Sequence, residues 1–252
     1  MVRSTMMIKL SKRTWLRILA IAILIAVLCW GLLSYPQPFF HWSVSAANLT
    51  LYSDRAFDDE AGKRVLEMAQ AKLTASPLYS ADEPHSAFIC NARWRQRLFF
   101  TRHYGVGGVN YYPFTSNVFL RDALIEDDKL ISPSGAPVAG DRTLDYFIAH
   151  EITHTLTVKA AGSYRYYHLP QWVREGYADY VGKGGAFNYT DALRAFVANA
   201  PEMDYQKSGL YWRFNLLVAH MLEKEHWTVQ RLLEEHIDQQ TVEDAVRREA
   251  SY

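Results

Sequence analysis

With 252 residues, 49% of them hydrophobic and 14% aromatic, the chain is long enough to bury one sizeable core, or one core with a small subdomain, and bulk disorder is excluded. The 27 basic and 27 acidic residues cancel, yet Arg3, Lys9, Lys12, Arg13 and Arg17 all lie in the first 33 residues, where there is no acid. The remainder carries 22 bases against 27 acids, a net of −5, and so mildly acidic a body excludes nucleic acid as the expected partner.

Residues 1–14 read as a basic cytoplasmic tail. From Trp15 to Leu33 the chain is almost wholly apolar, with Arg17 its only charge, and about 20 such residues suffice to cross a bilayer as a helix. Cations ahead of the run keep the N-terminus cytoplasmic. Residues 15–34 therefore read as a transmembrane signal-anchor helix, the single pass of a bacterial inner-membrane protein whose body faces the periplasm. The rival is a signal peptide cleaved after Val44-Ser45-Ala46. The apolar run exceeds the ~7–15 residues usual for one, however, and that site lies past Pro36 and Pro38. Cys29 in the span and Cys90 beyond it would occupy different environments, so no intrachain disulfide is expected.

Residues 35–45, with Pro36 and Pro38, read as a stiff linker, and residues 46–252 as the folded domain. Residues 41–52 alternate loosely, as a strand does. Val65, Leu66, Ala69 and Leu73 recur at helical spacing within 58–75, and Ser76-Pro77 ends that helix. Residues 86–90, 97–104 and 117–125 are short aromatic-rich runs that read as strands. Gly105, Gly107 and Gly108 mark a turn between two of them, since no phosphate-binding spacing accompanies the glycines. Residues 126–140 read as a solvated loop; its acids lack EF-hand spacing. From Asp141 the pattern is helical, with Asp141 or Thr143 as the first cap, Gly162 as the stop and Pro170 opening the next helix. Further helices are expected over 190–199, 206–224, 228–237 and 241–250. The whole reads as α+β, a small mixed sheet followed by a helical half.

The chemistry sits in His150-Glu151-Ile152-Thr153-His154. Helical residues four apart share a face, so the two imidazoles aim at one point, where one metal ion can take a nitrogen from each. Glu151 between them is placed to act as general base on a water. From 9 His and 13 Glu the pattern would arise by chance roughly 0.02 times in this length. Glu175, 21 residues beyond His154 in a second helical segment, is the leading third ligand. Zinc suits such nitrogen and oxygen donors and leaves a fourth position for solvent.

Over residues 141–181, and more faintly 205–223, the sequence resembles the gluzincin metallopeptidases, the thermolysin and aminopeptidase-N-like group. The resemblance implies a zincin-like domain that hydrolyses peptide bonds, with Zn2+ on His150, His154 and Glu175 and with Glu151 as base. It also implies that Asp179, four residues after Glu175, bonds a ligand histidine, and that a tyrosine on a later helix stabilises the oxyanion. Tyr211 carries that role by its spacing to Phe214, Leu217, Met221 and Leu222; Tyr205, ahead of Gln206-Lys207-Ser208-Gly209, is the competing match. The Gly-x-Met-Glu-Asn motif of aminopeptidases is missing, because Gly107-Gly108-Val109-Asn110 has no Glu. Cleavage within a peptide or protein substrate is therefore expected, with residues 117–120 as the edge strand that pairs with it. The competing function is a noncatalytic zincin-fold binding or assembly protein of the cell envelope, which would have no need of Glu151. Of the other histidines, His220 and His226 lack ligand spacing, His85 and His103 lie near strands, and His168 reads as a solvated loop residue. Trp172, Tyr177 and Tyr180 read as packing around the Glu175 helix.

Overall fold

The structure is a computed structural model that describes residues 11–250. Arg3 and Lys9 of the basic tail lie outside the described residues. The chain is mixed α/β and 57% helical, built around a five-stranded sheet.

Helix α1 (Lys12–Ser34) starts at Ser11, whose hydroxyl accepts the Thr14 N–H at 3.2 Å. Its 23 residues rise about 35 Å, against a hydrocarbon core of about 30 Å, and none is buried within the protein. The residues read as a linker instead join the body. Phe40 is buried, its ring 5.0 Å from Phe88 and 5.6 Å from Phe99, and β1 (Trp42–Ala46) follows at once. Residues 41–52, expected as one strand, hold a hairpin: β1 turns at Ala47 (φ 49°) into β2 (Leu49–Ser53), with Ala46 opposite Leu49.

Helix α2 (Asp59–Leu73) matches the predicted stripe. It is capped by Asp58, whose carboxylate accepts the Ala61 N–H at 2.8 Å, and it buries Val65, Leu66, Ala69 and Leu73. Full burial of Val65, Leu66 and Leu73 stabilises by about 1.5–3 kcal/mol each. Next come β3 (His85–Ile89), α3 (Arg93–Phe100), β4 (Gly108–Asn110), β5 (Val118–Leu120), and the two-stranded β6 (Ala123–Leu124) and β7 (Lys129–Leu130). The expected strand over 97–104 is thus wrong: Gln96, Phe99 and Phe100 are buried at helical spacing. The cause is a distant cap. Asp54, just past β2, accepts the N–H groups of Asn91 and Ala92 at 2.9 and 3.0 Å and pairs with Arg95, which fixes the start of α3.

Strand order is β1-β2-β3-β5-β4, with β2, β3 and β5 parallel and both outer strands antiparallel to their neighbours. The sheet separates two cores. On one face Leu49, Leu51, Ala87, Ile89, Val118 and Leu120 join the cluster that contains α2 and the later helices. On the other, Tyr52, Phe88 and Phe119 stand in one cross-strand row, with rings 4.6 and 5.4 Å apart, and pack with Phe40, Phe99 and Phe100. Leu32 and Leu33 from the last turn of α1 pack on this aromatic cluster. Asn117 ties down the same turn, donating from Nδ2 to the Leu33 carbonyl at 2.8 Å and the Ser34 carbonyl at 3.3 Å.

The helical half comprises α4 (Leu144–Ala161), α5 (Ser163–His168), α6 (Gln171–Lys183), α7 (Tyr189–Val197), α8 (Tyr205–Ser208), α9 (Trp212–Ala219), α10 (Val229–Glu234) and α11 (Gln239–Glu249). The single helix expected over 206–224 is broken. Gly209 adopts φ 66° between α8 and α9, and a π turn over His220–Lys224 ends α9. Trp172 and Tyr177 are buried core residues, as expected.

Candidate metal centre

Helix α4 is buried on every side from Leu144 to Val158, the pattern of a central helix. It packs against α2, β4 and α6. Thr143 occupies the cap position without capping; the Asp145 N–H donates instead to Asp128 of the β6–β7 hairpin at 2.9 Å. Asp141, the other expected cap, pairs with Lys183 at 2.6 Å. The helix stops at Gly162, as predicted.

The helical spacing brings His150 Nε2 and His154 Nε2 within 3.2 Å of each other. From α6, Glu175 Oε2 lies 3.7 Å from the first and 3.5 Å from the second. A tetrahedral zinc with ligand bonds of about 2.0–2.1 Å separates its donors by about 3.3–3.4 Å, so the three atoms already sit near the edge lengths of such a site. Gly176 permits the approach of the helices behind it, since a Cβ there would lie 2.5 Å from the Phe214 carbonyl oxygen of α9.

The far ring nitrogens are also held. In the tautomer that leaves each Nε2 lone pair free, His154 Nδ1–H donates to the Tyr166 hydroxyl at 3.0 Å and His150 Nδ1–H to the Tyr146 hydroxyl at 3.4 Å. Tyr146 in turn donates to Asp179 Oδ1 at 2.5 Å, and Asn215 Nδ2 donates to Oδ2 at 2.8 Å. The expected bond from Asp179 to a ligand histidine is therefore corrected to a relay. Tyr146 fills the space between them, and burial together with Asp179 pushes its own pKa up, keeping the proton on the phenol.

Two carboxylates of this site are driven apart. Burial raises Glu151 to about 7, with Glu175 adding to the rise and His154 opposing it. Burial also disfavours ionised Glu175, but His154 and His150, by charge and by hydrogen bonding, outweigh it and hold that carboxyl far below the usual range. Glu151 lies against β4: a Cβ on Gly108 would stand 2.7 Å from its Oε1 and 2.6 Å from its Cγ, so only glycine leaves the carboxylate its place.

The cluster opens into a cleft of about 640 Å³, lined by β4, by Tyr111, Tyr112 and Phe114, and by Arg142, Tyr166, Arg174, Tyr205 and Tyr211. Tyr211 stacks on His150 at 5.8 Å and on Tyr205 at 5.0 Å, so both candidate tyrosines reach the site. Burial, then the charge of Glu175, pushes the Tyr211 pKa far up. The edge of the sheet beside the cleft is β4; β5, which holds most of the expected edge segment 117–120, is interior, paired on one side with β3 and on the other with β4.

Other histidines do not join the cluster. His168 Nδ1 bonds the Tyr164 carbonyl at 2.7 Å. His220 is buried in a group of its own, Nδ1 lying 3.0 Å from both Glu249 Oε2 and the Tyr189 hydroxyl and Nε2 3.5 Å from Glu225. Tyr146 was legible in principle, being four residues before His150 and hence on the same face. Tyr166, Asn215 and Gly108 come from other elements and carry no such signal. No protein-family model, no curated protein and no solved structure matches the chain.

Proposed function

We propose that the chain is a zinc-dependent peptidase of zincin-like build, held to a membrane by α1 and cutting within polypeptide chains. The observation that carries this reading is the convergence of His150 Nε2, His154 Nε2 and Glu175 Oε2 at 3.2–3.7 Å beside the buried Glu151 carboxylate in an open cleft. The donor set, two imidazoles and one carboxylate with oriented rings, fits catalytic zinc. When bound, the ion would supply Lewis acidity to a scissile carbonyl and lower the pKa of water.

The chain's own groups account for the remaining chemistry. A carboxylate with its pKa raised to about 7 is suited to take a proton from water and return it to the leaving amine, and Glu151 is that group. The Tyr211 phenol stays protonated and can donate a hydrogen bond to a developing oxyanion. The outer edge of β4 offers backbone groups to an extended substrate. Among the described residues lining the cleft the acids are Glu151 and Glu175, both already engaged, so no carboxylate is left to receive a free amino terminus. That supports cleavage inside a chain. The apolar stretch of α1 from Ile18 to Ser34, which carries no charged residue, supports the anchor, with the basic tail on the cytoplasmic side and the body exported.

Metal analysis of the full chain is expected to give one zinc per molecule, and a metal-free protein overturns the proposal. Glu151→Gln is expected to keep the zinc while peptide hydrolysis falls by about 10²–10⁴-fold. Undiminished turnover would show that the base lies elsewhere, and zinc without turnover in either form would favour the noncatalytic alternative.

A further inference from the structure

Outside the metal cluster, α3 presents a surface whose composition and position both point to a ligand. Its sequence, Arg93-Trp94-Arg95-Gln96-Arg97-Leu98-Phe99-Phe100, has three arginines and no acid. Gln96, Phe99 and Phe100 face the aromatic core, while Arg93, Trp94, Arg97 and Leu98 form one exposed face, with Trp94 51% and Leu98 37% exposed. Cations flanking exposed apolar side chains are the mark of a helix that lies in the plane of a bilayer surface.

The position is an independent observation. Leu32 and Leu33 at the end of α1 pack on the same cluster that Phe99 and Phe100 fill from α3. Phe39, just beyond α1, meets the Trp94 ring at 6.2 Å and the Phe99 ring at 6.3 Å. Tyr35, 65% exposed, sits at the end of α1 with its ring 6.2 Å from Trp30, as aromatic side chains do where a helix leaves the hydrocarbon. The place where α1 emerges is thus the place where α3 lies.

We propose that the outward face of α3, formed by Arg93, Trp94, Arg97 and Leu98, rests on anionic phospholipid headgroups of the membrane that α1 spans. The guanidinium groups pair with lipid phosphates, and Trp94 and Leu98 enter the interface between them. This inference rests on the reading of α1 as a membrane span, and the test reports on the two separately.

The full chain is placed in nanodiscs of phosphatidylglycerol or of phosphatidylcholine, and nitroxide labels are read by their collisions with oxygen, which favours lipid, and with a water-soluble nickel chelate. One label sits on native Cys29, exposed on α1; the other on Leu98→Cys in a Cys29→Ser background, Cys90 being buried. In phosphatidylglycerol both labels are expected to read as lipid-immersed. The label at position 98 is expected to shift to a water-like reading in phosphatidylcholine and in the Arg93→Glu, Arg97→Glu variant, whose changes are confined to exposed positions. A lipid reading at 29 with a water reading at 98 overturns the proposal and leaves the span intact. A water reading at 29 overturns the span and the proposal with it. A label at 98 shielded from both reagents means a protein partner, and lipid immersion indifferent to headgroup and to the arginines removes the anionic lipid; either result overturns the proposal.

Discussion

Two groups in the helical half are made of the same residue types. His150, His154 and Glu175, backed by Tyr146 and Tyr166, turn three donor atoms toward one point at the floor of a cleft. His220, Glu249 and Glu225, with Tyr189, set their polar atoms on opposite sides of one ring. The first arrangement gathers lone pairs around a common centre; the second spreads acceptors around a single buried imidazole, whose Nε2 makes no hydrogen bond among the described residues. What distinguishes a candidate ligand set from a structural cluster is therefore convergence, since both groups share residue types and a buried imidazole.

The sharpest way to break this comparison is to remove a ring from each. His154→Ala is expected to abolish stoichiometric zinc, whereas His220→Ala keeps the metal and lowers stability by about 1–3 kcal/mol through the partners it leaves unpaired. Metal content and denaturant unfolding of both variants check this, and the reverse pattern would exchange the two assignments. A smaller effect is expected from the phenols. Tyr166→Phe should weaken zinc affinity by about 10–100-fold, by freeing the His154 ring, while Tyr189→Phe leaves it unchanged; competition with a chelator reads both. Next comes the packing that positions Glu175. Gly176→Ala sets a Cβ against the Phe214 carbonyl, and overpacking of this kind costs about 1–3 kcal/mol, visible as a lower unfolding midpoint.

The smallest effect is one of pH. Burial, then the charge of Asp145, raises Asp128 to about 7 from its usual 3.8. The folded chain therefore holds a proton that the unfolded chain releases near pH 4, and stability falls as pH rises through about 7. Asp128→Asn keeps an acceptor for the Asp145 N–H and removes the titration. It is expected to stabilise by about 1 kcal/mol at pH 8, allowing for partial exposure, and not at all below pH 4. Unfolding curves at the two pH values check the sign.

The parts legible in the sequence are those fixed by spacing within one element. The two histidines share a face because they are four residues apart, and the buried stripe of α2 follows from the same arithmetic. Glu175 stands out as a carboxylate in the next helical segment, a choice the family resemblance also implies, and the geometry places it beside both rings. What escaped was supplied from a distance. Asp54 starts α3 from beyond β2, and Asp128 starts α4 from another hairpin; no local pattern contains either contact. The same holds for Tyr166 on His154 and for β4, whose three residues are too few to announce a sheet edge. The break at Gly209 falls between the polar turn Gln206-Lys207-Ser208 and the apolar periodicity of α9, so the glycine itself is its one local signal.

The bonds from Asn117 to the Leu33 and Ser34 carbonyls do more than finish a helix. Residues 111–114, which rim the cleft, lie a few positions before Asn117, and the Ser34 hydroxyl reaches the Phe114 carbonyl at 3.4 Å. With α1 in a bilayer, this short tether denies the mouth of the cleft any long excursion into bulk solvent. A target embedded in the same leaflet would then be met by lateral diffusion. On the proposed function, a freely dissolved chain would first have to reach the membrane surface, so selectivity would begin with where the cleft is tied down, before any side chain of the target is read.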